Sequence, residues 1–209
     1  MANISKINGF KPVKHVNGSP YNGQSNIYYV PASDSTALFV GDPVKLAADA
    51  NDQGIQQVTK ATAGAAVLGV VVGVINTKLD PVGGNMTGGS IALDTPQYRV
   101  ASTGTYVLVA DSPDVVYEVE AATGSNAAYA FAVADVGQNA DLTTVAGSTT
   151  TGTSAAALNM ATKGSTATLQ WKIIGVVQRP DNEITGNYTK VLVKINNAQL
   201  SAGTGTAGV

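Results

Sequence analysis

The chain holds one histidine, no cysteine and 14 acidic residues. That inventory narrows the chemistry it can do. A Ser-His-Asp triad needs its histidine buried beside a carboxylate and a serine. His15 instead stands in a lysine-bearing N-terminal stretch, "KPVKHVNGSP". A zinc centre needs three or four His, Cys or carboxylate ligands at suitable spacing, and the sequence has no such set. "DANDQG" (Asp49 to Gly54) opens like a calcium loop, but its twelfth position is Lys60, where a bidentate Glu is required. A turn between two strands is the better reading. Asp111/Asp114 and Glu118/Glu120 are spaced as acid–base pairs could be. The first pair flanks Pro113, and the second alternates along "VYEVEA" on what reads as a wet strand face. Trp171 could stack a sugar, but it sits in the apolar run "LQWKIIGVVQ" and reads as core. No glycine pattern matches a phosphate loop leading into a helix. The expectation is a protein that is not an enzyme, with no cofactor, no metal and no small-molecule substrate.

The elements that would position these residues read as short strands. "NIYYV", "ALFV", "VKL", "IQQVTK", "TYVLVA", "VVYEVEA", "TLQWKIIGVVQ" and "YTKVLVKIN" are rich in β-branched and aromatic residues and are divided by turn signals. "YRVAS" and "TYVLVA" read as a hairpin about Thr103-Gly104. "GAAVLGVVVGVI" (Gly64 to Ile75) has no polar side chain. At twelve residues it is too short to span a bilayer, and its valines favour a strand buried on both faces. "WKIIGVVQ" is its natural companion. Gly69, Gly73 and Gly175 should mark bulges or close backbone approach. Residues 125–137, "SNAAYAFAVADVG", are the best helix candidate, capped by Ser125 and ended by Gly137. Tyr129, Phe131 and Val133 also alternate, so a strand stays open there.

The organisation expected is an extended arm over residues 1–26, one β-rich domain over 27–200, and a flexible tail over 201–209. Loop excursions fall at about 80–95 and 143–166. The fold class is all-β, a small β-barrel or jelly-roll-like sandwich with at most one short helix.

Charged residues make up only 12% of the chain, about half the usual share. The surface is therefore neutral and hydroxyl-rich, as suits a protein packed against other subunits. Charge is uneven: Leu79 to Thr162 carries eight acidic residues and one basic residue, Arg99, whereas the first 20 residues carry Lys6, Lys11 and Lys14 and no acid. A basic arm and an acidic body could attract one another between copies. Three lysines on an acidic body make direct nucleic-acid binding unfavourable. The N-terminal stretch lacks the apolar core of a secretory signal, so synthesis in a cytoplasm is expected, with no membrane partner.

"ALFVGDPVKL", "LGVVVGV", "YRVASTGTYVLVAD", "VYEVEA", "ADVGQNADLT", "GSTTTGTSAAALN" and "LQWKIIGVVQRPDNEITGNYTKVLVKIN" follow one another in an order that resembles the capsid cement, or head decoration, proteins of tailed bacteriophages. The likeness covers most of residues 27–197. It implies a β-body on the outside of an icosahedral head, stabilising contacts between major capsid protein subunits. The long arm and the glycine loop around Gly83 to Gly89 depart from simpler members of that family. The capsid or subunit interface expected from the residues is the arm and its continuation: Phe10, Lys11, Lys14, His15, Tyr21, Tyr28 and Tyr29. Apolar anchors with cationic reach suit an interface, and removing residues 1–20 should abolish shell binding without unfolding the body. Other copies of the chain, as dimer or trimer, are expected to cover any exposed part of Gly64 to Ile75. Two alternatives stay open: a tail or baseplate structural protein, and a carbohydrate-binding adhesion module using Tyr98, Tyr106 and Tyr117.

Overall fold

The computed structural model describes residues 3–75, 96–201, 205, 207 and 208. The chain is all-β, as its turn-punctuated apolar runs predict. Its strands are β1 (Lys11–His15), β2 (Asn26–Val30), β3 (Pro43–Ala50), β4 (Gln56–Lys60), β5 (Gly69–Ile75), β6 (Thr105–Ala110), β7 (Val115–Ala122), β8 (Asn139–Leu142), β9 (Leu158–Gly164), β10 (Trp171–Val176) and β11 (Lys190–Ile195). Five strands close a barrel in the order β2-β4-β3-β5-β6. The other six form a sheet in the order β1-β7-β11-β10-β8-β9. The C-terminal end of β7 also pairs with β9, parallel, so this sheet comes round on itself. β1 rides beside it on the N-terminal half of β7.

Each body has its own core. Val30, Leu38, Val44, Val58, Leu68, Val71, Val107 and Val109 fill the barrel. Phe10, Tyr117, Phe131, Leu158, Met160, Trp171, Ile173 and Val193 belong to the larger core of the second sheet. The run Gly64 to Ile75 serves both. Val67 and Val70 belong to the sheet core, while Leu68 and Val71 belong to the barrel core. A strand that feeds two interiors has no wet face, which is why its buried portion carries no polar residue. Its own chain buries Val67 to Val71, while Val72 to Ile75 stay half-buried, the part a second copy was expected to cover. "WKIIGVVQ" is not its partner: β5 pairs with β3 and β6, and β10 pairs with β8 and β11. The glycines stand where expected. Ladder register shifts at Gly73 and at Gly175, and a Cβ at Gly69 would meet the Ala110 carbonyl oxygen at 2.2 Å.

Four further expectations are corrected. "YRVAS" does not pair with "TYVLVA": Arg99 pairs with Leu38, and β6 pairs with β2 and β5. Residues 125–137 are not a helix. Asn126 has φ +60°, Ala128 and Phe131 form bridges to Ala122 and Gly186, and only Val133–Asp135 makes a turn of 3-10 helix. The alternating aromatics outweigh alanine propensity, because Phe131 gains a place in the sheet core. The excursion over 143–166 contains β9 and buries Ala156, Ala157, Leu158 and Met160. The N-terminal arm is no free arm: β1 is a sheet strand and Phe10 is 1% exposed. The excursion at 80–95, with the glycine loop, lies outside the described residues. In the tail, the Gly208 amide donates to the Ser165 carbonyl and Lys172 Nζ donates to the Ala207 carbonyl.

Candidate functional site

The N-terminal segment is placed by a glycine contact. Gly9 (φ +70°) crosses Gly41 (φ +95°) so closely that a Cβ on Gly9 would lie 2.6 Å from the Gly41 carbonyl oxygen. The Phe10 amide donates to that oxygen at 3.0 Å. This crossing drops the Phe10 ring onto Trp171, with centroids 4.2 Å apart and planes 21° from parallel. Tyr117 meets the same indole edge-on at 5.5 Å. Phe10 is therefore a core anchor within its own chain. Its assignment to an interface with another protein is corrected, because an apolar ring is buried more completely beside Trp171 than on an open arm.

β1 then runs antiparallel to β7, from Lys11 opposite Glu118 to His15 opposite Val115. The chain reverses at Asn17-Gly18, where Gly18 takes φ +90° and the His15 amide donates to the Ser19 carbonyl. The returning Tyr21 amide donates to the Val13 carbonyl. The outer edge of β1 is thus partly covered by its own hairpin, which leaves Val13 and Val16 exposed. Tyr21, half-buried, donates its hydroxyl to the Gln24 carbonyl at 2.8 Å. In β2, Tyr28 donates to Asp111 at 2.7 Å, and Asn26 Nδ2 donates to the same carboxylate at 2.8 Å. Burial first, then the hydrogen bond and charge of Asp111, pushes the Tyr28 phenol well above its ordinary value. Tyr29 tilts against Tyr106 at 5.1 Å on the barrel.

The seven predicted interface residues thus divide. Phe10 is core, and Lys11 and Lys14 are exposed. His15, Tyr21, Tyr28 and Tyr29 are half-buried. His15 and Asp111 line one open cavity near the start of β7, while Lys11 lies toward its other end.

That other end carries residues the sequence reading missed. A cleft of about 370 Å³ is lined by Ile4, Lys6, Lys11, Arg179, Tyr188 and Lys190 among others. Glu120 lies at its base and is 2% exposed, which corrects the wet face expected for "VYEVEA". Its carboxylate pairs with Lys190 Nζ and accepts from Ser5 Oγ and the Lys6 amide, both at 2.9 Å. Burying a carboxylate is tolerated only when it is paired and hydrogen-bonded, and the N-terminal segment supplies two of the three donors. Arg179 pairs with Glu118 and Asp181. Asn3 and Glu183 exchange hydrogen bonds, Asn3 Nδ2 to the Glu183 carbonyl at 3.2 Å and the Glu183 amide to Asn3 Oδ1 at 2.7 Å. The alternation of "TKVLVKIN" was the available signal for Lys190, but only the β7–β11 register places it opposite Glu120.

The remaining polar clusters tie loops down. Arg99, 1% exposed, donates to the carbonyls of Pro31, Asp34, Thr36 and Thr103. Buried Asp42 accepts from Ser154 Oγ and the Phe39 amide and pairs with Lys60 at 3.1 Å. Asp135 accepts from Lys163, Tyr129 and the Ala132 amide. Burial raises the Asp135 pKa, but these three donors outweigh it and hold the carboxyl below its ordinary value. The three tyrosines considered for sugar stacking do not form a platform. Tyr117 is fully buried, Tyr98 stacks on Phe39, and Tyr106 donates to Gln53 beside Tyr29. Among the described residues, no three His, Asp or Glu side chains gather at metal-binding range. No family profile, curated protein or solved structure matches this chain.

Proposed function

We propose that this protein is a structural component of tailed-bacteriophage particles, a cement or decoration protein that binds the outside of the assembled head. Its partner in this reading is the major capsid protein. The observation that carries it is how the buried polar groups are used. Arg99, Asp42, Asp135 and Glu120 hold loops and termini against two β-cores. Such a body suits permanent docking in many copies. The block-by-block sequence likeness over 27–197 supports the same role.

The physical mechanism is linkage. A ligand that binds the assembled shell and not its free subunits stabilises the shell by mass action, by about 2.7 kcal/mol per site at a hundredfold excess over Kd. The shell-facing surface is assigned to the exposed members of the predicted set and their neighbours, Lys14, Val16 and the β1 hairpin. Removing residues 1–20 is no longer a clean test, because it also removes Phe10 and β1 from the fold. A double substitution Lys14→Glu/Val16→Asp touches exposed side chains only. Purified wild-type protein is expected to co-sediment with shells lacking it and to raise their disruption temperature, and the double variant to lose both effects. Failure of wild-type protein to bind expanded or unexpanded shells would refute the assignment.

A further inference from the structure

The two ends of the β1–β7 pair differ in charge and both carry exposed apolar side chains. At one end, the cleft is lined by four cations, Lys6, Lys11, Arg179 and Lys190, against three carboxylates, Glu118, Glu120 and Asp181. All three carboxylates are engaged by Arg179 or Lys190. Lys6 and Lys11 make no ion pair among the described residues, so the charge left over is positive. Ile4 is 73% exposed on the cleft rim, and the Asn3–Glu183 bonds bring exposed Ile184 close by.

At the other end, two adjoining cavities share His15, Gln24 and Ser112. Their charged lining is Asp111 and Asp114, with no lysine or arginine. Asp114 is exposed, and Val16, 54% exposed, belongs to the same wall. Asp114 and Glu120 are six residues apart on an extended chain, about 20 Å. One molecule therefore cannot bring its own acidic end into its own cationic cleft.

We infer that the Asp111/Asp114 end of one copy docks in the Lys6/Lys11 cleft of a second copy. Ile4 and Ile184 then border the contact, and the opposite charges set the register. Apolar side chains supply contact area, and complementary charge supplies orientation and rate. The contact is head-to-tail, so it repeats as a ring or an open chain instead of stopping at a two-fold dimer. It holds independently of whether the partner shell is a phage head.

The test is sedimentation velocity on the full chain over a concentration series at low and high salt. Wild-type protein is expected to associate at low salt, with the midpoint concentration rising on addition of salt. Lys11→Glu and Asp114→Lys are each expected to raise that midpoint roughly tenfold or more. Both positions are exposed, and circular dichroism checks that each variant is folded. The decisive arm is an equal mixture of the two variants. The acidic cleft of K11E accepts the basic end of D114K, and the unaltered end of K11E still fits the unaltered cleft of D114K, so the mixture is expected to regain wild-type-like association in alternating order. Three results would overturn the inference: monomeric wild-type protein throughout the series, variants that associate like wild type, or a mixture that stays monomeric.

Discussion

At the level of single residues, the chain uses its few charged and aromatic side chains as fasteners. Phe10 packs between the Gly9–Gly41 crossing and Trp171, and Phe10→Ala is expected to cost about 3–5 kcal/mol in denaturant unfolding. A loss under 1 kcal/mol would mean the segment is held by backbone bonds alone, an order-of-magnitude contrast with large-to-small core changes. Arg99→Met keeps much of the side-chain bulk but leaves the carbonyls of Pro31, Asp34, Thr36 and Thr103 without their donor. It should cost about 3 kcal/mol or more, read from the same measurement. Trp171 was legible as core from its apolar neighbours, and the turn at Asp49 to Gly54 was legible from its Asn and Gly. Phe10 was not. It stands alone between Asn8-Gly9 and Lys11-Pro12 with no apolar period around it, and its burial depends on a glycine crossing with a partner 32 positions away in sequence. Glu120 was misread for the same reason, since Ser5, Lys6 and Lys190 reach it only through tertiary register.

Elements were read well where local pattern and tertiary fate agreed. The strands from "NIYYV" to "KVLVKI" stand close to where β-branched content and turn residues put them. Pairing was read less well. "YRVAS" and "TYVLVA" look like a hairpin, but the chain separates them because Arg99 is claimed by the loop at 31–36. The stretch 125–137 offered both periods, and the sheet core selected the extended one. Its end is clamped by Tyr129, Asp135 and Lys163, which makes a pH prediction. The folded pKa of Asp135 lies below its ordinary 3.8. Its ionised form therefore favours the fold above that value, and the contribution is lost as pH falls through the folded pKa. The stability difference between wild type and Asp135→Asn should be constant at pH of about 5–7 and shrink below about pH 3.8. Urea titrations at stepped pH measure it, and a difference unchanged down to about pH 2 would show that Asp135 does not act through its charge.

For the whole molecule, two β-cores share one strand, β5, and the N-terminal segment is built into the sheet body through Phe10 and β1. The two cores should therefore unfold together. Gly69→Ala places a methyl group 2.2 Å from the Ala110 carbonyl oxygen at the start of that strand, and it should lower the stability of both. Tyr106 on the barrel and Trp171 in the sheet core report on each separately, and coincident loss of their signals is expected. This architecture leaves the β1 hairpin for the proposed role and the charged ends of the β1–β7 pair for contact between copies. The central claim is that the protein coats a phage head, and copy number tests it most directly. Quantitative mass spectrometry of purified particles should give a ratio to the major capsid protein near one or a simple fraction of it. A handful of copies per particle, or none, would contradict the account.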